Sequence, residues 1–245
     1  MTRVRPRTVV VENADELNRV GADLVSEVIA SNHEARVVPA TGRTPMGLYA
    51  ELTARRAMGL ETGTVTAIQL DEYLGLDPAD RRSLFGWMTR SFLSPLGIPE
   101  ERAVKLPTDG DVEASCAEFD RSIEAQGGLD LAILGLGMNG HLGFNEPPSR
   151  PEAPTRVVRL SQSTVEANAR YWGDVGDVPA RAVTMGLRQI LTARTILLIV
   201  SGRAKREIVH ATLEGPVGPE VPASFLQVTH AEVTAVVDRD AWGDG

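Results

Sequence analysis

A chain of 245 residues with 42% hydrophobic and 24% charged residues is long enough for one large domain that hides roughly 70–75% of its unfolded surface. A formal net charge of −8 excludes a nucleic-acid surface built on a concentrated basic face, and no apolar run reaches the ~20 residues that cross a bilayer. The one cysteine, Cys116, excludes an internal disulfide framework and suits a reducing cytosol, while the basic start "MTRVRPRTVV" lacks the apolar core of a secretion signal.

In chain order, "RTVVVE" at 7–12 predicts a strand. Residues 14–32 predict a helix, with Asn13 as N-cap and Leu17, Val20, Leu24, Val25 and Val28 on one face. A strand at 35–40 follows, then a helix at 44–58 with Thr44 as cap and Pro45 in its first turn. The next elements are a strand at 65–70, helices at 83–94 and 112–126 (the second burying Cys116) and a strand at 129–135. Beyond them come a helix at 161–171, strands at 181–185, 195–201 and 233–238, and helices at 203–213 and 222–227. Strands that are apolar throughout and separated by helices predict an α/β fold. The expectation is a single open, doubly wound, mostly parallel sheet, Rossmann-like, with helices on both faces, in one domain over 1–245. The proline-rich stretch 146–156 reads as an ordered surface loop, and 146–185 as a candidate lid.

Ligands of such sheets bind beyond the C-terminal strand ends, so the loops that follow strands matter most. "PATGRTPMGLY" (39–49) offers the N–H groups of Gly42, Arg43 and Thr44 to an anion, or is a plain turn with a good cap. "QLDEYLGL" (69–76) puts Asp71 and Glu72 at the end of a buried strand. Desolvation there raises a carboxylate toward general-base values; the alternative is a solvated turn. "LGLGMNGHLGFNEP" (134–147) gathers Gly135, Gly137 and Gly140, whose backbones can approach a ligand, around His141, with Asn139 and Glu146 able to orient it. Its G-x-G-x-x-G spacing is a weak dinucleotide signal, because "FNEPP" interrupts the helix that a pyrophosphate needs. Arg170 and Lys205 are late cations, the second at a helix start where an anion is favoured. No His or Cys cluster has metal-ligand spacing.

Together these segments, with "ANARYW", "VSGRAK" and "LEGPV", resemble the glucosamine-6-phosphate deaminase (glucosamine-6-phosphate isomerase) family, in family order over residues ~35–230. "NGHLGFNEP" and "LDEY" separate it from the related 6-phosphogluconolactonases. The resemblance implies an aldose–ketose isomerisation coupled to deamination: glucosamine 6-phosphate and water give fructose 6-phosphate and ammonia, with no metal and no cofactor. It implies Asp71 as the base between C2 and C1 and His141 as the group that opens the sugar ring, with Glu146 and Asn139 controlling its protonation. It implies Thr41, Gly42, Arg43, Thr44, Arg170 and Lys205 as the holders of the 6-phosphate. The expected partner is this small phosphosugar, in the cytoplasm, with the oligomeric state left open. A galactosamine-6-phosphate deaminase is the near alternative. A non-catalytic sugar-phosphate sensor is the distant one; it calls for a helix-turn-helix segment, which is not expected before residue 35 or after residue 238.

Three positions depart from the family pattern. Asn139 stands where some members have aspartate, which predicts a lowered His141 pKa. Arg43 replaces a small residue and either adds a cation or points to solvent. "TRVVRL" keeps Arg156 but has Val158 at the second basic position of the allosteric members, so little or no allosteric activation is expected.

Overall fold

Alternating apolar strands with two buried faces need helices above and below, and the chain supplies both. The computed structural model describes residues 6–77 and 80–243; the basic start at 1–5 lies outside the described residues. Seven strands form one parallel sheet: β1 (Arg7–Val11), β2 (Arg36–Val38), β3 (Thr66–Ile68), β5 (Ala103–Val104), β6 (Leu131–Gly135), β9 (Thr195–Val200) and β10 (Glu232–Asp238). Their spatial order is β1-β10-β9-β6-β2-β3-β5, every neighbour pair parallel. Along β6 the period of two sends Leu131 and Ile133 to one face, and Ala132 and Leu134 to the other.

The first face is covered by α1 (Ala14–Ser31) and α2 (Met46–Ala57). The segment Leu84–Leu96 joins them: α3 (Leu84–Met88), a π-helical turn at Thr89–Leu93, and α4 (Ser94–Leu96). Asn13 caps α1 as expected, its side chain accepting from the Glu16 N–H at 3.0 Å. The second face is covered by α5 (Val112–Ala125), α7 (Leu187–Leu191) and α8 (Arg206–Leu213). Cys116 is buried there, and burial pushes its thiol up to about 11. α9 (Arg239–Trp242) follows β10, and the helix expected at 222–227 is a 3₁₀ helix, Pro222–Gln227.

Two differences from the sequence reading have plain causes. α2 starts at Met46, with no side-chain cap. The Met46 N–H donates to the Arg43 carbonyl, so residues 43–46 close as a backbone turn and Thr44 does not cap the helix. The strand expected at 181–185 belongs to a second, three-stranded antiparallel sheet of β4 (Asp71–Tyr73), β8 (Arg181–Thr184) and β7 (Arg156–Arg159), in the order β4-β8-β7. β4 and β7 lack the long apolar run that marks the main strands. The segment 146–185 is thus β7, α6 (Gln162–Trp172) and β8, with β8 pinned to β4 by the pairs Asp71–Thr184 and Glu72–Val183. A small apolar cluster of Tyr73, Phe144, Leu160, Trp172, Val178 and Ala182 lies against this sheet.

The chain runs outward from β2 through β3 to β5, then returns to β6 on the other side of β2. The strand order reverses between β2 and β6, and a crevice opens at such a switch point. The four loops singled out by sequence leave β3, β2, β6 and β9, which are four adjacent strands.

Candidate active site

Turn 41–45 leaves β2. Gly42 has φ +99°, a conformation that favours glycine, and no Cβ neighbour would lie within 4 Å of it. Among the described residues the N–H groups of Gly42, Arg43 and Thr44 have no protein acceptor. Arg43 is exposed.

Asp71 is 4% exposed, at the start of β4 beside the crevice. The Thr41 hydroxyl donates to its Oδ1 at 3.4 Å, which ties it to the turn after β2. Burial first, then the neighbouring Glu72 charge, raise its pKa to about 7, against the lowering effect of Thr41. Glu72 faces elsewhere. Its Oε1 accepts from the Tyr73 and Leu84 N–H groups, and its Oε2 from the Phe85 N–H and the Gln69 amide, at 2.8–2.9 Å. Of the two acids read from the sequence, Glu72 is therefore spent on the first turn of α3, and Asp71 is the one left for chemistry.

His141 is half-buried after β6. Its Nδ1 lies 2.7 Å from Asn139 Oδ1, and its backbone N–H donates to the same oxygen at 3.3 Å. Two donors on one amide oxygen place the proton on Nδ1 and leave Nε2 with an open lone pair. Burial lowers the His141 pKa to about 4, as does the Lys205 charge, while Glu146 opposes them. The pKa is lowered, but by burial and Lys205 and not by Asn139, whose own effect the Asn139→Asp variant would isolate.

The glycines of this loop serve differently from the sequence reading. A Cβ on Gly137 would lie 2.3 Å from His141 Cε1, so Gly137 is the floor on which the imidazole rests. Gly140, at φ +80°, is filled by Val221 at 2.7 Å, and only Gly135 of the three faces open space. Gly137→Ala is expected to displace the ring and lower kcat about tenfold with little change in Tm, since general acid–base groups contribute ~10²–10⁴ and this one is shifted rather than removed. Steady-state kinetics beside a thermal melt checks it.

Glu146 makes no hydrogen bond to His141. Its carboxylate takes the Ser161 N–H at 2.8 Å and the Ser161 hydroxyl at 3.0 Å, at the N-terminus of α6. Arg170, near the other end of α6, is exposed, its guanidinium 4.9 Å from the Tyr171 ring centroid. Lys205 follows β9. Its Nζ donates to the Leu136 carbonyl at 2.5 Å, and burial, then the Arg170 charge, lower its pKa to about 8. Among the described residues no carboxylate pairs with it. Arg156 binds Asn145 Oδ1 at 2.7 Å and the Ser149 hydroxyl at 3.2 Å, while Val158 packs into the small apolar cluster. A cavity of about 550 Å³ beside α5 and β7 is lined by Cys116, Asp120, Arg156 and Arg188 and shares no residue with the four loops.

A doubly wound α/β protein with a buried carboxylate poised near neutrality, a neutral imidazole and a half-buried lysine bonded to a backbone carbonyl at its switch point can do acid–base chemistry on a small anion. The profile of the glucosamine-6-phosphate isomerases/6-phosphogluconolactonase family matches residues 11–235, and the chain belongs to that family. It is 39% identical to a glucosamine-6-phosphate deaminase of Halothermothrix orenii, over 96% of this chain and 98% of that one. It is 40% identical to one from Clostridium perfringens, with the same coverage. Among solved structures, a monomeric glucosamine-6-phosphate deaminase superposes with a TM-score of 0.92 at 34% identity, over 96% of this chain and 98% of that one. The 6-phosphogluconolactonase of Trypanosoma cruzi shares the fold, with a TM-score of 0.78 at 20% identity, over 98% of this chain and 97% of that one.

Proposed function

We propose that the protein converts glucosamine 6-phosphate and water to fructose 6-phosphate and ammonia. The observation that carries this reading is Asp71: a buried carboxylate at the switch point, raised to about 7, beside a turn with unclaimed N–H groups. The full-length deaminase relatives support it. The phosphate is held by Thr41, Gly42, Arg43, Thr44, Arg170 and Lys205. His141 Nε2 takes the C1 hydroxyl proton and returns it to the ring oxygen, which opens the sugar to its aldehyde. Asp71 then removes the C2 proton, since the adjacent aldehyde accepts the electron pair, and delivers it to C1, while O1 gains the proton that the C2 ammonium loses. The resulting ketimine adds water and releases ammonia. Helix α6, which carries Arg170 on its exposed side, is the part of the candidate lid that would close over bound phosphate, with its ends held by Glu146 at Ser161 and by Trp172 against Tyr73. The single buried thiol suits the cytoplasm, and the likeness to a monomeric deaminase supports a site complete in one chain.

The test is to incubate the protein with glucosamine 6-phosphate and assay ammonia and fructose 6-phosphate, with galactosamine 6-phosphate in parallel. Turnover of the galacto sugar alone keeps the mechanism and changes the substrate. Phosphosugar binding without turnover moves the sensor reading forward. Asn139→Asp puts a carboxylate on the Nδ1–H of His141 and is expected to raise its pKa by about 1–2 units. The acid limb that His141 contributes to kcat/KM then moves to higher pH. An unchanged profile refutes this role for Asn139.

A further inference from the structure

We infer that Asp238 is a positioning residue for the phosphate-holding turn after β9, an assignment that rests on the deaminase reading of Lys205. Asp238 ends β10, the strand beside β9, and is 4% exposed. Its Oδ2 accepts from the Ser201 hydroxyl, and its Oδ1 from the Gly202 N–H at 3.0 Å. Oδ1 also takes the Ala241 N–H at 2.8 Å, the N-cap bond of α9. α9 has only four residues, and capping it would occupy one oxygen; two of the three donors come instead from the turn.

Gly202 has φ +96°, where the chain reverses out of β9. The Gly202 carbonyl then accepts from the Lys205 N–H at 2.9 Å, and Lys205 Nζ reaches Leu136 at the end of β6. A continuous set of hydrogen bonds therefore runs from Asp238 through Gly202 to Lys205 and on to the loop that bears His141. Among the described residues Asp238 has no cationic partner; N–H and O–H donors alone compensate its charge. Misplacing a binding group by an ångström is enough to lose affinity, so fixing this turn matters for Lys205 rather than for Asp71.

The test compares Ser201→Ala, which removes one turn contact, and Asp238→Asn, which weakens all three, with the control Asp130→Asn. Asp130 is a buried carboxylate at the opposite end of the sheet, paired with Arg36 and Arg194. The expected result is a KM raised about threefold in Ser201→Ala and about tenfold or more in Asp238→Asn, with kcat within twofold. Asp130→Asn should lower Tm with KM unchanged. Calorimetric titration with inorganic phosphate is the second readout, and both turn variants should bind it more weakly. A lowered Tm with unchanged KM and phosphate affinity in both turn variants reduces Asp238 to a helix cap and overturns the inference. Weaker phosphate binding in the variants of a protein that turns over neither hexosamine phosphate keeps the positioning role and removes the deaminase reading.

Discussion

Asp71→Asn should lower kcat by about 10³-fold or more while leaving KM within a few-fold, because the amide cannot carry a proton from C2 to C1. The amide oxygen can still accept from the Thr41 hydroxyl, so the phosphate-holding turn keeps its place and binding persists. The pH dependence follows from the same group. With the Asp71 pKa raised to about 7, the wild-type enzyme loses base as pH falls below 7, and kcat/KM should drop about tenfold per unit there. The variant should lose that limb. Stability moves the opposite way. A carboxyl raised in the folded state costs stability once ionised: the cost is absent below the unfolded value near 3.8 and complete above about 7. Asp71→Asn should therefore melt higher than wild type at pH 8, by a gain on the order of 4 kcal/mol, and match it below pH 4. Equal melting at both pH values, or turnover within tenfold of wild type, would falsify this account of Asp71.

The frame of the molecule was legible because its causes are local. Apolar runs of a buried parallel sheet, the Asn13 cap and the switch-point rule needed only neighbours in sequence. What escaped depends on contacts made across the fold. Asp71 and Glu72 look alike side by side, yet Glu72 is claimed by Leu84 and Phe85, twelve and thirteen residues on. Glu146 read as a partner of His141 because five residues separate them; its charge does act on the imidazole, but its hydrogen bonds go to Ser161, fifteen residues away. Gly137 read as room for a ligand and is room for the imidazole. Short strands such as β4 and β7 carry too few residues to show a period, so of the second sheet only β8 had a sequence signal. Asp238 and Ser201 lie at the ends of adjacent strands, which is the one hint that sequence offers: polar residues closing apolar runs beside a candidate loop.

Lys205→Met should raise KM for the phosphosugar by about 10–100-fold, since a charge-assisted bond to a buried anion contributes roughly 1.5–3 kcal/mol, and leave kcat at saturation within a few-fold. The free protein already shows why. Lys205 is half-buried with a carbonyl as its partner, and its pKa is lowered to about 8 by burial and by Arg170. A lysine lowered in the folded state costs stability while protonated, so the cost is complete below about 8 and gone above the unfolded value near 10.5. Lys205→Met should accordingly gain on the order of 1–2 kcal/mol at pH 7 and nothing at pH 11. A bound phosphate reverses that balance by supplying the missing anion. Affinity should therefore peak between about pH 6, where a phosphate monoester gains its second charge, and pH 8, where Lys205 loses its own. The upper half of that window, from about pH 7, holds Asp71 half-ionised or better and His141 neutral, so binding, ring opening and proton transfer converge on neutral pH through separate groups. A flat KM from pH 6 to 10 in wild type, or a Lys205→Met KM equal to wild type, would show that the phosphate is held without this lysine.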